Sequence, residues 1–131
     1  MTIALGTFDI TSMSEDTVME LDDGGKITRA TGAQRFTGEI EGDGTVEWLM
    51  CYLRDGTARF VGLQRITATI RTHTGSFVLE SVGDHDGTQS KGTWEVIDGS
   101  GTGDFAGLRG EGTFKAPGGH KASFSLQYEL G

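Results

Sequence analysis

The chain is 131 residues long, with 22 glycines against a single proline, a hydrophobic share of 35% and a formal charge of −8. That length suits one domain, residues 1–131, with a core of its own. Glycine without a G-X-Y period excludes collagen, and the acidic balance excludes nucleic acid and anionic membrane as principal partners, because phosphate binding needs clustered Lys and Arg.

The first residues, MTIALGTFDI, have neither a basic n-region nor a long apolar run, so no signal peptide is read and a cytoplasmic location is expected. No stretch approaches the length of a membrane-spanning helix. Residues 2–12 alternate as a strand, with Ala4, Gly6, Phe8 and Ile10 on the inward side. Residues 13–25 (MSEDTVMELDDGG) are acidic around Val18, Met19 and Leu21. They read as a solvated connection with at most one short strand, rather than as a lid. Ile27–Gly42 gives a second strand whose dry side holds Ala30, Gln34, Phe36 and Ile40, and whose wet side holds Arg29, Arg35, Glu39 and Glu41.

The stretch Thr45–Gly62 reads as two strands around an Asp55–Gly56 turn. Two-residue turns there and at Asp43–Gly44 set Glu47 opposite Gln64 and Ile40. Glu47, Leu49 and Cys51 then face inward with Phe60 and Gln64, while Trp48, Met50, Tyr52, Val61 and Leu63 face outward. Cys51 is the only cysteine, so no internal disulfide forms, and it reads as a small buried hydrophobe. The fourth strand, Ala58–Ile70, turns at His73–Thr74 (or through a three-residue loop ending at Gly75) into a fifth, Ser76–Gly83, which adds Phe77, Leu79 and Ser81 to the inside. A sixth strand, Gln89–Ile97, follows the Asp86–Gly87 turn and adds Gly92, Trp94 and Val96. A slip of one residue at any turn would invert every side chain beyond it.

Gly99–Gly112 is too rich in glycine for a regular element and reads as a turn with a short helical turn at Asp104–Leu108. Its Gly101-x-Gly103-x-x-Ala106 run fails as a dinucleotide fingerprint because no helix follows it. The last hairpin joins Gly112–Lys115 to Ala122–Leu130 across Ala116-Pro117-Gly118-Gly119, with Phe114, Phe124, Leu126 and Tyr128 on one side. Up-and-down strands with a consistent dry side predict an all-β fold, an antiparallel eight-stranded closed β-barrel, since closure removes exposed edges.

Three segments carry a resemblance: GTVEWLMCYLRDGTARFVGLQR, GSFVLESVGDHDG and GSGTGDFAGLRGEGTF. They resemble the bacterial DUF3224 family, most specifically in the G-S-G-T-G-[DE]-[FL]-x-G-L-x-G-x-G block at Gly99–Gly112. A similar glycine-rich turn and closing strand occur in allene oxide cyclases and dirigent proteins. The resemblance implies their barrel, often oligomeric. It also implies, by analogy, chemistry of the cyclase kind inside that barrel, and no catalytic residue of the cyclase maps onto this chain.

The inward polar groups of the expected barrel are Gln34, Glu47, Cys51, Gln64 and Ser81, joined by Tyr128. Phe36, Leu49, Phe60, Phe77, Leu79 and Trp94 would form the wall around them. An apolar cavity with a few convergent polar groups is the usual form of a small-molecule site. Glu47, desolvated beside Gln64, is the candidate acid or base, with Gln64 to orient it. A satisfied core network is the bland alternative for the same residues. His85 lacks a second histidine at ligand spacing, and His73 and His120 fall in turns, so no metal and no cofactor is expected. Two functions from different classes follow: a cofactor-free cyclase or isomerase acting on an apolar substrate, and a carrier that sequesters a small hydrophobic ligand. The outward strip of Trp48, Met50, Tyr52, Val61 and Leu63 is expected to hold a homodimer or higher oligomer together.

Overall fold

A period of two in apolar and polar residues carries most of the chain into strand. The fold is given by a computed structural model that describes residues 1–118 and 120–131. Its strands are β1 (Thr2–Glu20), β2 (Lys26–Gly38), β3 (Ile40–Tyr52), β4 (Ala58–Ile70), β5 (His73–His85), β6 (Ser90–Val96), β7 (Arg109–Ala116) and β8 (Lys121–Glu129), with one 3-10 turn at Gly103–Phe105. Neighbours pair antiparallel in chain order and β8 returns to β1, closing an eight-stranded barrel. The expected fold class holds. Gly119, part of the expected Ala116–Gly119 turn, lies outside the described residues.

The glycine content has a packing cause. Along the inner wall an aromatic ring on one strand repeatedly faces a glycine on the next: Gly6 opposite Phe124, Phe36 opposite Gly42, Trp48 opposite Gly62, Phe60 opposite Gly83, Gly92 opposite Phe114, Trp94 opposite Gly112. The rings lie across the bare backbone. A Cβ on Gly92 would stand 2.8 Å from the Phe114 ring, one on Gly6 2.7 Å from Phe124, and one on Gly83 2.6 Å from Phe60. Four of the seven phenylalanines and both tryptophans thereby enter a barrel of modest girth. The middle is filled by Phe8, Phe36, Trp94, Phe114 and Phe124, with Trp94 5.4 Å from Phe124 and 5.5 Å from Phe114 between ring centroids.

Four turns differ from expectation: two of them overturn the assignment of sides on β3, and one, at Gly87–Thr88 instead of Asp86–Gly87, keeps the sides of β6. Asp43–Gly44 is not a turn. β2 passes into β3 through Glu39 alone, helped by Gly38 at φ +105°, and Asp43 lies mid-strand opposite Arg35, 3.5 Å from its guanidinium. At the next hairpin Leu53 and Thr57 close a loop of three residues rather than two. Leu53 N–H donates to the Thr57 carbonyl at 2.8 Å, and Gly56 takes φ +89°. That is a type I turn followed by a left-handed glycine, the usual three-residue form. Asp55 caps it by accepting from the Thr57 N–H and hydroxyl, which lowers its pKa. Each change shifts the register by an odd number of residues, so β3 alone is turned over: Val46, Trp48 and Met50 point in, while Glu47, Leu49 and Cys51 point out. The remaining turn falls at Arg71–Thr72 instead of His73–Thr74, with Arg71 at φ +57°, and this displacement preserves the sides of β5.

β1 runs on to Glu20, so the expected connection over residues 13–25 shrinks to Leu21–Gly25. Two bulges, between Ile10 and Ser12 and between Thr17 and Met19, break its alternation. Beyond the first bulge the odd residues Met13 and Glu15 take the inward side. The two barrel ends differ. At one, the segment around the 3-10 turn folds in as a plug: Phe105 and Leu108 are buried, and Phe105 meets Phe77 edge-on at 5.4 Å. The other end is open.

Candidate functional site at the open end of the barrel

The extended hairpin of β1 and β2 curls over the open end, and Glu15 fastens it. Glu15 Oε2 accepts a hydrogen bond from Thr28 Oγ1 on β2 at 2.6 Å and from Tyr52 Oη on β3 at 2.7 Å. Burial pushes the Tyr52 phenol up to about 12, and the hydrogen bond and charge of Glu15 act in the same direction. Lys26 lies over the same ring, 5.6 Å from its centroid. On the facing wall His85 Nδ1 and Ser90 Oγ are 2.9 Å apart and close the mouth of the β5–β6 hairpin. Asp86, in the loop beyond, accepts N–H bonds from Gln89 and Thr88 that hold its carboxyl down at about 2.

Between these walls lies a cavity of about 190 Å³. Its floor is aromatic and aliphatic: Phe8, Trp48, Phe60, Phe114, Met50 and Ile10. Its polar lining is Glu15, Ser90 and His120. His120 sits in the β7–β8 connection, where its carbonyl accepts from the Ile10 N–H at 2.9 Å. No trio of His, Cys, Asp or Glu side chains among the described residues is placed to hold a metal ion. No helix among them is long and apolar enough to cross a membrane.

The residues singled out in the sequence divide three ways. Glu47 lies on the outer surface, its carboxylate gripped by Arg29 through Nε at 2.8 Å and through Nη2, so the premise of a desolvated acid beside Gln64 is corrected. Leu49 is exposed and Cys51 half-buried on that outer side, which removes both from the interior. Gln34, Phe36, Gln64, Phe77, Leu79, Ser81, Trp94 and Tyr128 are buried as expected. They belong to the filled middle and the plugged end. Gln64 Nε2 donates to Gln34 Oε1 at 2.8 Å, and the Tyr128 hydroxyl accepts from Arg71 Nε at 3.3 Å. Gln34 Nε2, Gln64 Oε1, Ser81 Oγ and the indole N–H groups of Trp48 and Trp94 have no protein partner among the described residues. Phe60 alone of the expected site residues lines the open-end cavity. Of the expected outer strip, Trp48 and Met50 face that cavity and Tyr52 stands on its rim. Only Val61 and Leu63 stay outside, joined there by Leu49 and Val82. Glu15, Ser90 and His120 escape a reading by alternation, because a bulge precedes the first and hairpin ends carry the others.

The family model described as a protein of unknown function, DUF3224, matches residues 4–128. The chain belongs to the DUF3224 family. A crystal structure of a DUF3224 protein from Shewanella oneidensis MR-1, of unknown function, is similar to it at 25% identity and a TM-score of 0.77, covering 98% of each chain. No curated protein matches. The DUF3224 barrel thus has a relative with the same closed sheet, and its function must be argued from the open end.

Proposed function

We propose that this DUF3224 barrel binds a small apolar molecule in the cavity at its open end. The observation that carries the reading is that enclosure: about 190 Å³ floored by Trp48, Phe60, Phe8 and Phe114, with polar groups confined to the rim. Carriage is favoured over turnover, because among the described residues the floor of the cavity holds no titratable side chain and the polar groups stand at its rim. A cofactor-free isomerase or cyclase remains as the second reading, with Glu15 rather than Glu47 as the acid or base. The support for it is Glu15 standing at the cavity with one carboxylate oxygen outside the Thr28 and Tyr52 bonds.

Titration with single-ring apolar compounds, followed by the indole emission of Trp48, tests the binding. A saturable change that disappears in Ala122→Leu, which fills the cavity from the β8 side, is the expected result. No change with any compound of that size removes the reading. Glu15→Gln then separates the two classes, since a carrier keeps its ligand and an isomerase loses turnover with binding intact.

The oligomer belongs to the same proposal, with its face moved to Leu49, Val61, Leu63 and Val82. These are 41–52% exposed and adjacent across β3, β4 and β5. Sedimentation of wild type against Leu63→Lys decides it, and a monomer at high concentration in the wild type ends it.

A further inference from the structure

The rim of the open-end cavity has a charge without a counter-charge. Both hydroxyls that hold Glu15 bond one oxygen, Oε2. None of the ion pairs among the described residues includes Glu15. Lys26 is occupied over the Tyr52 ring and does not reach the carboxylate. The pinned carboxylate is therefore oriented while its second oxygen keeps its lone pairs for another donor.

The cavity that Glu15 lines also holds the rings of Phe8, Trp48, Phe60 and Phe114, and aromatic faces attract cations as well as apolar groups. The acidity of the chain, −8 in formal charge, adds a long-range field that favours the approach of positive ligands. Size sets the rest. A dry cavity of roughly 150 Å³ takes one benzene. The 190 Å³ here therefore suit one ring with a short arm and no second ring.

We infer that the occupant is a small arylalkyl ammonium compound, its ring among the cavity aromatics and its charged nitrogen on Glu15 Oε1. This deepens the binding reading and rests on it. Ser90 Oγ, which also lines the cavity, offers a further acceptor at the rim. An alcohol of the same shape would donate a hydrogen bond charged on the acceptor side alone, without the ion pair, and a carboxylate would meet a like charge at close range.

Three matched probes test the inference: 2-phenylethylamine, 2-phenylethanol and 3-phenylpropanoate, titrated at low ionic strength into wild type and Glu15→Gln with backbone amide NMR as the readout. The amine is expected to bind up to about tenfold tighter than the alcohol, the gain from adding an opposite charge on the donor at low ionic strength, and the acid is expected to bind weakest. Glu15→Gln should erase the preference for the amine while lowering the alcohol's affinity far less than the amine's. An alcohol that binds as well as the amine, an acid that binds better, or a preference that survives Glu15→Gln overturns the inference and leaves the binding site standing. Failure of all three probes to bind overturns both.

Discussion

Adding one methyl group at Gly92 tests the rule that rings lie across glycines. A Cβ there would collide with the Val82 carbonyl oxygen and sit 2.8 Å from two carbons of Phe114, where ordinary contact begins at 3.4 Å, so the backbone must shift and the ring must retreat by at least 3.4 − 2.8 = 0.6 Å. The ring's free side is the open-end cavity that it lines, and elsewhere it is hemmed in. Phe114 stacks on Trp94 at 5.5 Å with a 28° tilt and packs beside Phe60 at 6.2 Å and Phe8 at 6.3 Å. Overpacking of this kind costs about 1–3 kcal/mol. The stiffer unfolded chain returns about 0.4–1 kcal/mol, since Gly92 does not need a left-handed backbone. The expected net loss for Gly92→Ala is about 1–2 kcal/mol, read as a lowered urea midpoint with an unchanged slope. In a Phe114→Leu background the clash with the ring is relieved while the Val82 carbonyl stays close, so the same substitution should cost less, a coupling of about 0.5–3 kcal/mol. Equal costs in the two backgrounds, or a Gly92→Ala protein as stable as wild type, would refute the packing argument.

Three other outcomes follow from the geometry. Glu47→Gln should cost about 1 kcal/mol or less, because the Arg29 pair is exposed on both sides, and a loss above about 3 kcal/mol in urea unfolding would return Glu47 to the interior. Gln64→Leu should cost about 1–3 kcal/mol by stranding the Gln34 amide, whereas Gln34→Leu/Gln64→Leu should recover most of that loss; double-variant unfolding no better than the sum of the singles would contradict it. The Tyr52 phenol, raised from 10.0 to about 12, contributes stability that is complete below pH 10 and is lost as pH climbs toward 12. Ultraviolet difference spectra against Tyr52→Phe should show its ionisation near pH 12, and Glu15→Ala should bring it down only part of the way, since burial is the larger cause; ionisation near pH 10 in the wild type would contradict the rim geometry.

The inward sides of β2, β4, β5 and β6 are legible in the sequence because alternation is strong there and the displaced turns, at Arg71–Thr72 and Gly87–Thr88, keep parity. β3 is misread for a specific reason. Asp43–Gly44 and Asp55–Gly56 each look like two-residue turns, and each introduces an odd slip. The two slips cancel beyond β3, so agreement among the remaining hairpins cannot reveal them. The cue that resolves β3 is the pairing of rings with glycines, which sets Trp48 against Gly62 and thereby turns Glu47 outward. The candidate site is less legible still. Glu15 lies past a bulge that resets the period, in a run whose acidity resembles a solvated loop, and its partners Thr28 and Tyr52 come from two other strands. Nothing local in the sequence joins those three residues.

The stopper formed by Phe105 and Leu108 makes the barrel a cup rather than a tube. Whatever enters past Glu15 must leave by the way it came, head-first entry meaning tail-first exit. A molecule longer than the hollow would be gripped by one end with the remainder trailing into solvent. Length beyond the first ring therefore changes how a guest departs more than whether it is held.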